Sequence, residues 1–414
     1  MPGEPVRRLL RGLHRWCGLA IALFLAACGL TGSLIAFEHE LDAWLNPALF
    51  RVQAARAPLP LDTLIERVED QDRRIRIVQW PLDTVPGQSS EIHVAARPGH
   101  AVDFDRMFID PATGTILGTR KWGAWRWDRA HVMPWLNRFH RNLTLPGQWG
   151  TRLVGGLAVA WLAITLAGIY LTLPARPRRV ASGPLDSRLL PARGFWAAWK
   201  PAWRLPWGAK GLRWINDLHR AGGLWMLPIA LPLAFTGVYF NLGNEIFKPA
   251  ASLFGPITPH PISTLPRVAD GGPSAPAIGP AQSIGLARTF LPKDARDYEP
   301  WYLGYLPSLG AYRVAFKEKH LRERALRVRY EQVFLDHQTG RLLGRFGYES
   351  GTPVDRFLVW MYPVHSGKVF GPPGQAAIAL GGLAVVLLCV TGIVRYGLRP
   401  RPGRRRSRTV PAEV

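Results

Sequence analysis

Four stretches of the sequence contain no Asp, Glu, Lys, Arg or His, and they constrain the fold more than any other feature. Each has about the 20 residues that an α-helix needs to cross a hydrocarbon core roughly 30 Å thick. The apolar runs elsewhere are too short to span a bilayer. The sequence therefore predicts four transmembrane helices: Trp16–Phe37, Leu153–Leu173, Ala221–Leu242 and Ala376–Val394.

The charges fall unevenly on the segments between these spans. The first, third and fifth connecting segments carry 21 Lys+Arg against 4 Asp+Glu, whereas the two long ones carry 31 against 25. The positive-inside rule places the first set in the cytoplasm and the two long segments on the outer side. The predicted order is a cytoplasmic N-terminus (1–15), a span (16–37), an outer module (38–152), a span (153–173), a cytoplasmic basic loop (174–220), a span (221–242), a second outer module (243–375), a span (376–394) and a basic cytoplasmic tail (395–414).

Composition excludes several other classes of protein. With 17 Trp, 17 Phe and 10 Tyr the chain is too aromatic for a disordered protein, and 3 Cys inside apolar runs do not make a disulfide scaffold. The formal charge of +23 serves mainly to orient the chain in its membrane. We therefore interpret the arginine-rich run 401–408 as a juxtamembrane tail, and we expect no nucleic-acid partner.

The sequence repeats itself at a nearly constant offset. Leu13–Arg15 recurs 205 residues later as Leu218–Arg220, and His140 recurs as His365, 225 residues later. Two tandem halves, each made of span, outer module and span, would be related by a pseudo-two-fold axis along the membrane normal. The other matching positions are Thr31-Gly32 with Thr236-Gly237, Phe108 with Phe334, Asp110 with Asp336, and Gly168-Ile169 with Gly392-Ile393.

Both outer segments have the hydrophobic patterns of small α+β modules. In each, one amphipathic helix precedes alternating strands and a hairpin with an Asp…Thr-Gly turn. The predicted fold class is therefore a four-helix membrane bundle of two tandem repeats that carries two small α+β modules. The predicted elements are helix Leu61–Gln71, strands Ile75–Trp80 and Glu91–Ala96 and hairpin Met107–Leu117, then helix Ala281–Phe290, strands Trp301–Tyr305 and Tyr312–Phe316 and hairpin Gln332–Leu343.

Four of the eleven histidines form two pairs that the repeat relates. His14 and His219 stand at the cytoplasmic entrances of the first and third spans, and His140 and His365 shortly precede the second and fourth. The pseudo-two-fold axis would turn the members of each pair toward one another. Two imidazoles on opposite sides of a planar macrocycle are the axial ligand set of haem iron. We therefore predict two haems, with these four histidines as axial ligands.

The same four histidines also fit two simpler roles. An interfacial histidine is often only a polar anchor, and zinc would need three or four ligands that these positions lack. No C-x-x-C-H motif is present for covalent attachment, so haem b is expected. Arg15 and Arg220, next to the inner histidines, are predicted to pair with haem propionates. His39 and His131 have no counterpart in the other half, and whether they assist stays open.

At these residues the chain resembles the PepSY-associated transmembrane family, a group of iron-regulated inner-membrane proteins that includes ferric-siderophore reductases of the ferrioxamine type. The resemblance covers nearly the whole chain, including both outer modules, which would be PepSY-like. The motifs that carry it are Leu13–Gly18, Thr31–Ser33, Glu40–Asp42, Phe139–Arg141, Leu218–Arg220, Thr236–Tyr239 and Val364–Gly367.

The resemblance implies a multi-pass protein of the bacterial inner membrane, with both termini cytoplasmic and two bound haems. It also implies an oxidoreductase that reduces a ferric siderophore or another iron chelate in the periplasm, which releases the iron. Some family members carry fused flavin domains. Here no G-x-G-x-x-G follows a strand, so the electron donor would be a separate reductase or a quinol.

An aromatic group near the outer histidines is the candidate substrate surface. These side chains could stack on a chelate, or they could form the aromatic belt that membrane proteins carry at the interface. The candidates are Trp122, Trp125, Trp127, Trp360 and Tyr362.

Two functions without electron transfer fit the same sequence. The outer modules could bind or regulate a periplasmic protein, with the spans as anchors. Alternatively, the histidines could be ion stations in a metal transporter, although few polar residues line the predicted spans.

Overall fold

The structure is a computed structural model, and it describes residues 3–53, 57–174, 194–268, 275–319 and 329–398. The predictions for part of the cytoplasmic loop 174–220 and for most of the tail 395–414, including the run 401–408, lie outside the described residues. The first half contains helices α1 (Gly3–Ile35), α2 (Glu38–Leu45), α3 (Pro47–Phe50), α4 (Leu61–Gln71), α5 (Arg129–Asn142) and α6 (Trp149–Thr172).

The helices that follow α6 include several of only one or two turns. Short 3₁₀ or π segments flank some of them, at Lys200–Trp203, Gly243–Phe247, Ser252–Phe254, Lys293–Ala295, Pro307–Leu309 and Lys368–Phe370. The helices are α7 (Phe195–Trp199), α8 (Gly211–Trp225), α9 (Leu227–Asn241), α10 (Lys248–Ala251), α11 (Pro261–Thr264), α12 (Pro280–Thr289), α13 (Pro353–Val359), α14 (Met361–Ser366) and α15 (Gly371–Gly397).

Among the described residues, three helices are long and apolar enough to cross a membrane: Glu4–Ile35, Trp149–Thr172 and Lys368–Gly397. The third predicted span differs from these, because α8 and α9 meet at an angle of 68°. Pro228, the second residue of α9, has no backbone N–H to continue the hydrogen bonds of α8, and so the helix breaks there. If this bent pair is one span, the protein has four, and it is a multi-pass membrane protein by length and composition.

Close backbone contacts hold the bundle together. Helix α1 packs against α6 and α15, α6 packs against α9, and α8 packs against α15. A Cβ atom added at Gly29 of α1 would lie 2.8 Å from the carbonyl oxygen of Gly382 in α15. Ser33 Oγ also donates a hydrogen bond to the Ala379 carbonyl at 2.7 Å. Small residues at the interface and hydrogen bonds between helices are the usual means of helix association in a membrane.

The outer segments form one antiparallel sheet of eight strands in the order β4-β3-β2-β1-β5-β6-β7-β8. Each predicted helix and strand of the outer segments lies within a few residues of an observed one. The two modules, however, are joined edge to edge, because β1 pairs with β5 through Gln79 opposite Gly304 and Trp80 opposite Leu303. The strands are β1 (Ile75–Pro81), β2 (Ser90–Ala96), β3 (Arg106–Ile109), β4 (Ile116–Arg120), β5 (Glu299–Leu306), β6 (Ala311–Lys317), β7 (Tyr330–Asp336) and β8 (Leu342–Gly347).

The two faces of this sheet are covered by different elements. Helices α4 and α12 lie on one face, where Leu64 and Val68 pack against the first four strands and Ala287 packs against the last four. The opposite face contacts α3 and α11, which come shortly after the first and third spans. We call this second face the membrane-proximal face.

Candidate metal centres

The inner pair of histidines comes together between α1 and α8. The ring centres of His14 and His219 are 6.1 Å apart and their planes meet at 82°. Helix α1 packs against α6 and α15, and α8 packs against α15, so four membrane helices surround the pair.

Each ring of the inner pair is fixed by a hydrogen bond at Nδ1. His14 Nδ1 donates to the carbonyl oxygen of Ile164 on α6 at 2.8 Å. His219 Nδ1 lies 2.9 Å from Thr391 Oγ1 on α15. Since the Thr391 hydroxyl donates its own proton to the Leu387 carbonyl, its oxygen is the acceptor for His219. Both inner rings are therefore protonated at Nδ1.

Glycines lie against both inner rings. A Cβ atom at Gly168 would be 3.2 Å from Cε1 of His14, and one at Gly392 would be 3.4 Å from Cε1 of His219. Any larger residue would press on the imidazoles. A Cβ atom at Gly223, one turn after His219, would meet nothing within 4 Å, which leaves room for a flat ring on that side.

The outer pair is built from the short helices α5 and α14. The ring centres of His140 and His365 are 6.3 Å apart, with an angle of 62° between their planes. A Cβ atom at Gly32 of α1 would lie 3.1 Å from Cε1 of His140, so the outer pair also depends on one glycine. Thr31, the residue before Gly32, is 17 residues after His14 on α1, and the two pairs are thus separated by about 26 Å along the helix.

Threonines on α1 and α9 fix the orientation of the outer rings. His365 Nδ1 lies 2.7 Å from Thr236 Oγ1, and His140 Nδ1 lies 3.2 Å from Thr31 Oγ1 and 3.1 Å from the Cys28 carbonyl. Both threonine hydroxyls donate to a carbonyl of their own helix, so both accept from histidine. Each outer ring therefore carries its proton on Nδ1, as the inner rings do.

The same tautomer follows for all four histidines from their hydrogen-bond partners. With the proton on Nδ1, the Nε2 atom has a free lone pair and can bind a metal. None of the described residues makes a hydrogen bond to Nε2 of these four side chains. Histidines that ligate metals almost always donate the other ring N–H to a protein acceptor, and these four do so.

The spacing of each pair fits two axial ligands on one metal. A bond from a metal to an imidazole nitrogen is about 2.0–2.1 Å, and the ring centre lies about 1.2 Å farther on, so two opposed rings have centres about 6.4–6.6 Å apart, a few tenths of an ångström more than in either pair. The observed values are 6.1 and 6.3 Å. Within the described ranges no group of three His, Cys, Asp or Glu could hold an ion. The donor set therefore suits a haem, which brings its own four equatorial nitrogens.

The arginines near the inner pair differ in their surroundings. Arg15 is exposed, with its guanidinium 4.7 Å from the ring centre of Trp16, and Arg220 pairs with Asp217 at 2.9 Å. Arg395, at the end of α15, lies within Coulombic range of both His14 and His219. Sequence analysis missed Arg395; its position three residues after Gly392 was the available signal.

The predicted substrate residues lie in two aromatic groups beside the outer pair. Trp127 is 88% exposed, and it contacts Trp125, which contacts Trp135 with ring centres 4.5 Å apart; Trp135 in turn stacks on Phe139, next to His140. Trp135 completes this stack and was not predicted.

The second aromatic group consists of Tyr362 and Phe240, and the remaining candidates Trp360 and Trp122 lie close to the two groups. Tyr362 contacts Phe240, which contacts His365. Trp360 is exposed at the end of α13, and Trp122 carries the guanidinium of Arg141 on its ring.

The two unpaired candidate histidines are not brought to either pair. His39 packs on Phe50 and lines a cavity of about 220 Å³ under the first half of the sheet. His131 is buried, with Nδ1 2.6 Å from Asp128 Oδ1, and its Nε2 atom has no hydrogen-bond partner.

Comparison with models of protein families gives a match over nearly the whole chain. The family model described as PepSY-associated TM region matches residues 11–399, nearly the whole chain. A search of curated proteins finds no match to the chain.

Proposed function

The chain belongs to the PepSY-associated TM family, and from this membership and the two histidine pairs we propose that it is a di-haem electron-transfer protein of the inner membrane. It would reduce a ferric chelate, such as a ferric siderophore, in the periplasm. The family match identifies a membrane protein, and it does not itself name haem or ferric iron. The proposal therefore depends on the side-chain geometry.

A single observation carries the proposal. Both pairs have the ring separation of axial ligands, and all four imidazoles direct Nδ1–H to a protein acceptor. A polar anchor at a membrane surface would need neither property. Two pairs with the same tautomer, separated by about 26 Å along α1, are what a relay across a bilayer requires.

The residues that would hold two haem b groups are His14 with His219 and His140 with His365. When bound, haem supplies a one-electron couple whose potential the axial ligands and nearby charges set. Arg395 would neutralise propionate charge at the inner centre, together with Arg15 or Arg220 if their side chains turn inward. At the outer centre, threonine hydroxyls hold both rings in place.

The substrate reaction is the gain of one electron by ferric iron. The electron comes from a separate donor on the cytoplasmic side or in the membrane, a reductase or a quinol. Ferrous iron binds hard oxygen ligands more weakly than ferric iron does, so reduction loosens the chelate and releases the metal. The exposed Trp125 and Trp127 and the Tyr362 group lie where an aromatic or flat chelate could stack.

The orientation is part of the proposal. The excess of Lys and Arg in the short connecting segments favours cytoplasmic termini and a periplasmic sheet. We further infer that the halves are tandem repeats, each with a PepSY-like module. Phe108 and Phe334 support this, because both are fully buried in the strand that precedes the edge strand.

A visible spectrum of the purified full-length protein tests the function. We expect a Soret band that shifts on addition of dithionite and two haems per chain in a pyridine haemochrome assay. The reduced protein should then be reoxidised by ferric chelates while a ferrous-specific dye captures the released iron. A colourless protein would favour the regulatory or transport functions, and a di-haem protein that no ferric chelate reoxidises would be a relay to another acceptor.

A further inference from the structure

One arginine on the membrane-proximal face of the sheet has an unusual environment. Arg313 lies in β6 near the junction of the two halves, and its Nη2 atom donates to Gln79 Oε1 at 3.2 Å. The guanidinium carbon is 5.0 Å from the ring centre of Tyr302. The Nε–H group of Arg313 is buried and has no hydrogen-bond partner. A buried donor left unpaired is unfavourable, so a ligand group that reaches this donor and accepts its hydrogen bond would be favoured.

The same strand position in the first half is occupied by a carboxylate. Arg313 is opposite Phe334, as Glu91 is opposite Phe108, so register relates the two residues. Glu91 contacts two arginines: Arg106 at 3.6 Å and Arg120 at 3.3 Å. Arg120 in turn binds Asp42 at 2.6 Å. The charges of the first half therefore compensate one another.

The second half lacks this compensation. At the position of Arg120 the strand register gives Phe346, which lies in β8 opposite Gln332. Across the described part of the chain, no carboxylate forms an ion pair with Arg313. Its positive charge therefore has no ion-pair partner among the described residues, and it lies on the membrane-proximal face of the sheet.

The neighbours of Arg313 are polar groups that can donate hydrogen bonds. Gln332 is 8% exposed, and its side chain lies within hydrogen-bonding range of His260, which is also within Coulombic range of Arg313. Because the two ends of an amide are interchangeable by a flip, Gln332 can present a donor or an acceptor. His93 lies within Coulombic range of Arg313, and burial lowers its pKa to about 4, so it is a neutral hydrogen-bonding group near pH 7. A Cβ atom at Gly304 would lie 3.3 Å from Arg313 Nε, so the glycine lets the guanidinium lie along β5.

We propose that Arg313, with Gln79, His93 and Gln332, forms a binding site for the anionic oxygen groups of a ferric chelate. This inference rests on the proposed function and deepens it, because it names the substrate class as chelates of net negative charge, such as polycarboxylates. A guanidinium has five N–H donors in a planar fork, and it can donate two parallel hydrogen bonds to one carboxylate. The first half, with its compensated charges, gives such a ligand no equivalent site.

Binding of a redox-inert chelate separates this site from electron transfer. Gallium(III) citrate is titrated calorimetrically into the full-length protein, and we expect binding that Arg313→Gln weakens tenfold or more, because a charge-assisted contact is lost. Arg313→Lys keeps the positive charge but loses the planar guanidinium. Its affinity for gallium citrate should lie between those of the unsubstituted protein and Arg313→Gln. Arg345→Gln is the matched control, because Arg345 lies opposite Val333 on the other face and contacts the Phe290 carbonyl. It should bind as the unsubstituted protein does.

A second measurement needs no substitution. Affinity of the unsubstituted protein for gallium citrate should fall several-fold between about 0.05 and 0.3 M salt, because screening weakens a partly exposed charge contact. Equal binding by the Arg313→Gln and unsubstituted proteins, salt-independent binding, or no binding would overturn the anion site.

The proposed function can fail separately. If the reduced protein is reoxidised by a neutral ferric trihydroxamate and does not bind gallium citrate, the reductase proposal stands and the anion site is wrong. If gallium citrate binds through Arg313 and no ferric chelate reoxidises the protein, the site stands and the reductase proposal is wrong.

Discussion

The inner and outer histidine pairs have nearly the same ring separation, and the protein builds them in different ways. The inner rings stand on α1 and α8, which belong to the candidate spans, and their acceptors Ile164 and Thr391 stand on other spans. The outer rings stand on the short helices α5 and α14, which follow the two ends of the sheet along the chain. The inner pair is thus part of the bundle, whereas the outer pair links the bundle to the sheet.

The hydrogen-bond acceptors of the outer pair occupy equivalent sequence positions, whereas those of the inner pair do not. The outer pair uses Thr31 and Thr236, which the offset of 205 relates. The inner pair uses the hydroxyl of Thr391 on one side and a backbone carbonyl on the other, because the offset of 224 places Ala167 opposite Thr391. One ligand geometry can therefore be reached with different acceptors, and what both pairs preserve is the Nδ1 proton.

The largest expected effect is the loss of one haem from one pair alone. His14→Ala or His219→Ala should reduce haem content from two per chain to one, and His140→Ala or His365→Ala should do the same for the other haem. The reason is that each iron would lose an axial ligand while the other pair is about 26 Å away along α1. Pyridine haemochrome content and the reduced-minus-oxidised spectrum measure this.

His131→Ala is the control for these four substitutions, because His131 is buried but belongs to neither pair. It should keep both haems. If substitution of any one of the four paired histidines removed both haems, the two centres would not be independent of each other.

A side chain at the glycines beside the rings should have the next largest effect. Gly168→Leu should displace His14 and empty the inner centre, because even its Cβ atom would lie 3.2 Å from the ring. Gly156→Leu on the same helix is the matched control, since a Cβ atom there meets nothing within 4 Å. Haem content per chain is again the measurement, and equal content in the two variants would contradict the close approach.

For the outer centre the matched pair lies on α1. Gly32→Leu should empty the outer centre, because its Cβ atom would lie 3.1 Å from His140, whereas Gly12→Leu meets nothing nearby. Spectra that show the inner haem lost instead of the outer one would reverse the assignment of the two pairs.

The threonines give a smaller and graded effect within the outer pair. Thr236→Val removes the only acceptor that the described residues offer to His365 Nδ1, whereas Thr31→Val leaves His140 the Cys28 carbonyl. Loss of such a partner typically costs 10–100-fold in metal affinity. Thr236→Val should therefore speed haem transfer to apomyoglobin by about tenfold, and Thr31→Val by several-fold less. Equal rates in both variants would mean that the acceptors do not hold the rings.

Much of the architecture could be predicted from sequence, because it depends on patterns that act locally. The 11 residues of α4 and the strands β1, β2 and β7 follow from apolar spacing. The approach of His14 to His219 was predictable from the repeated sequence motif, because two halves related by a two-fold axis would turn equivalent positions toward that axis.

The missing parts depend on contacts between distant residues. Nothing in β1 or β5 alone indicates that Trp80 will pair with Leu303 and join the modules into one sheet. The break between α8 and α9 had a local signal in Pro228, but the charge-free stretch around it masked the signal. Ile164 and Cys28 act through backbone carbonyls, which side-chain motifs do not reveal.

The smallest expected effect is a shift in the midpoint potential of the inner haem, caused by removing a positive charge near the inner pair. Arg395 lies within Coulombic range of both inner histidines, and its side chain is held by Asn216 Oδ1 at 2.5 Å. A nearby positive charge favours the reduced iron, which has one positive charge less. Arg395→Gln should therefore lower the midpoint potential of the inner haem by roughly tens of millivolts, as expected for one charge at intermediate dielectric.

The outer haem should keep its potential after Arg395→Gln, because the distance along α1 and the ions at the membrane surface reduce the effect. Arg15→Gln is the matched control: the same charge is removed from an exposed side chain stacked on Trp16, where water screens it, and its shift should be smaller. Spectroelectrochemical titration in nanodiscs resolves the two haems. Equal shifts of both haems, or a larger shift for Arg15→Gln, would show that Arg395 is not the charge that distinguishes the inner centre.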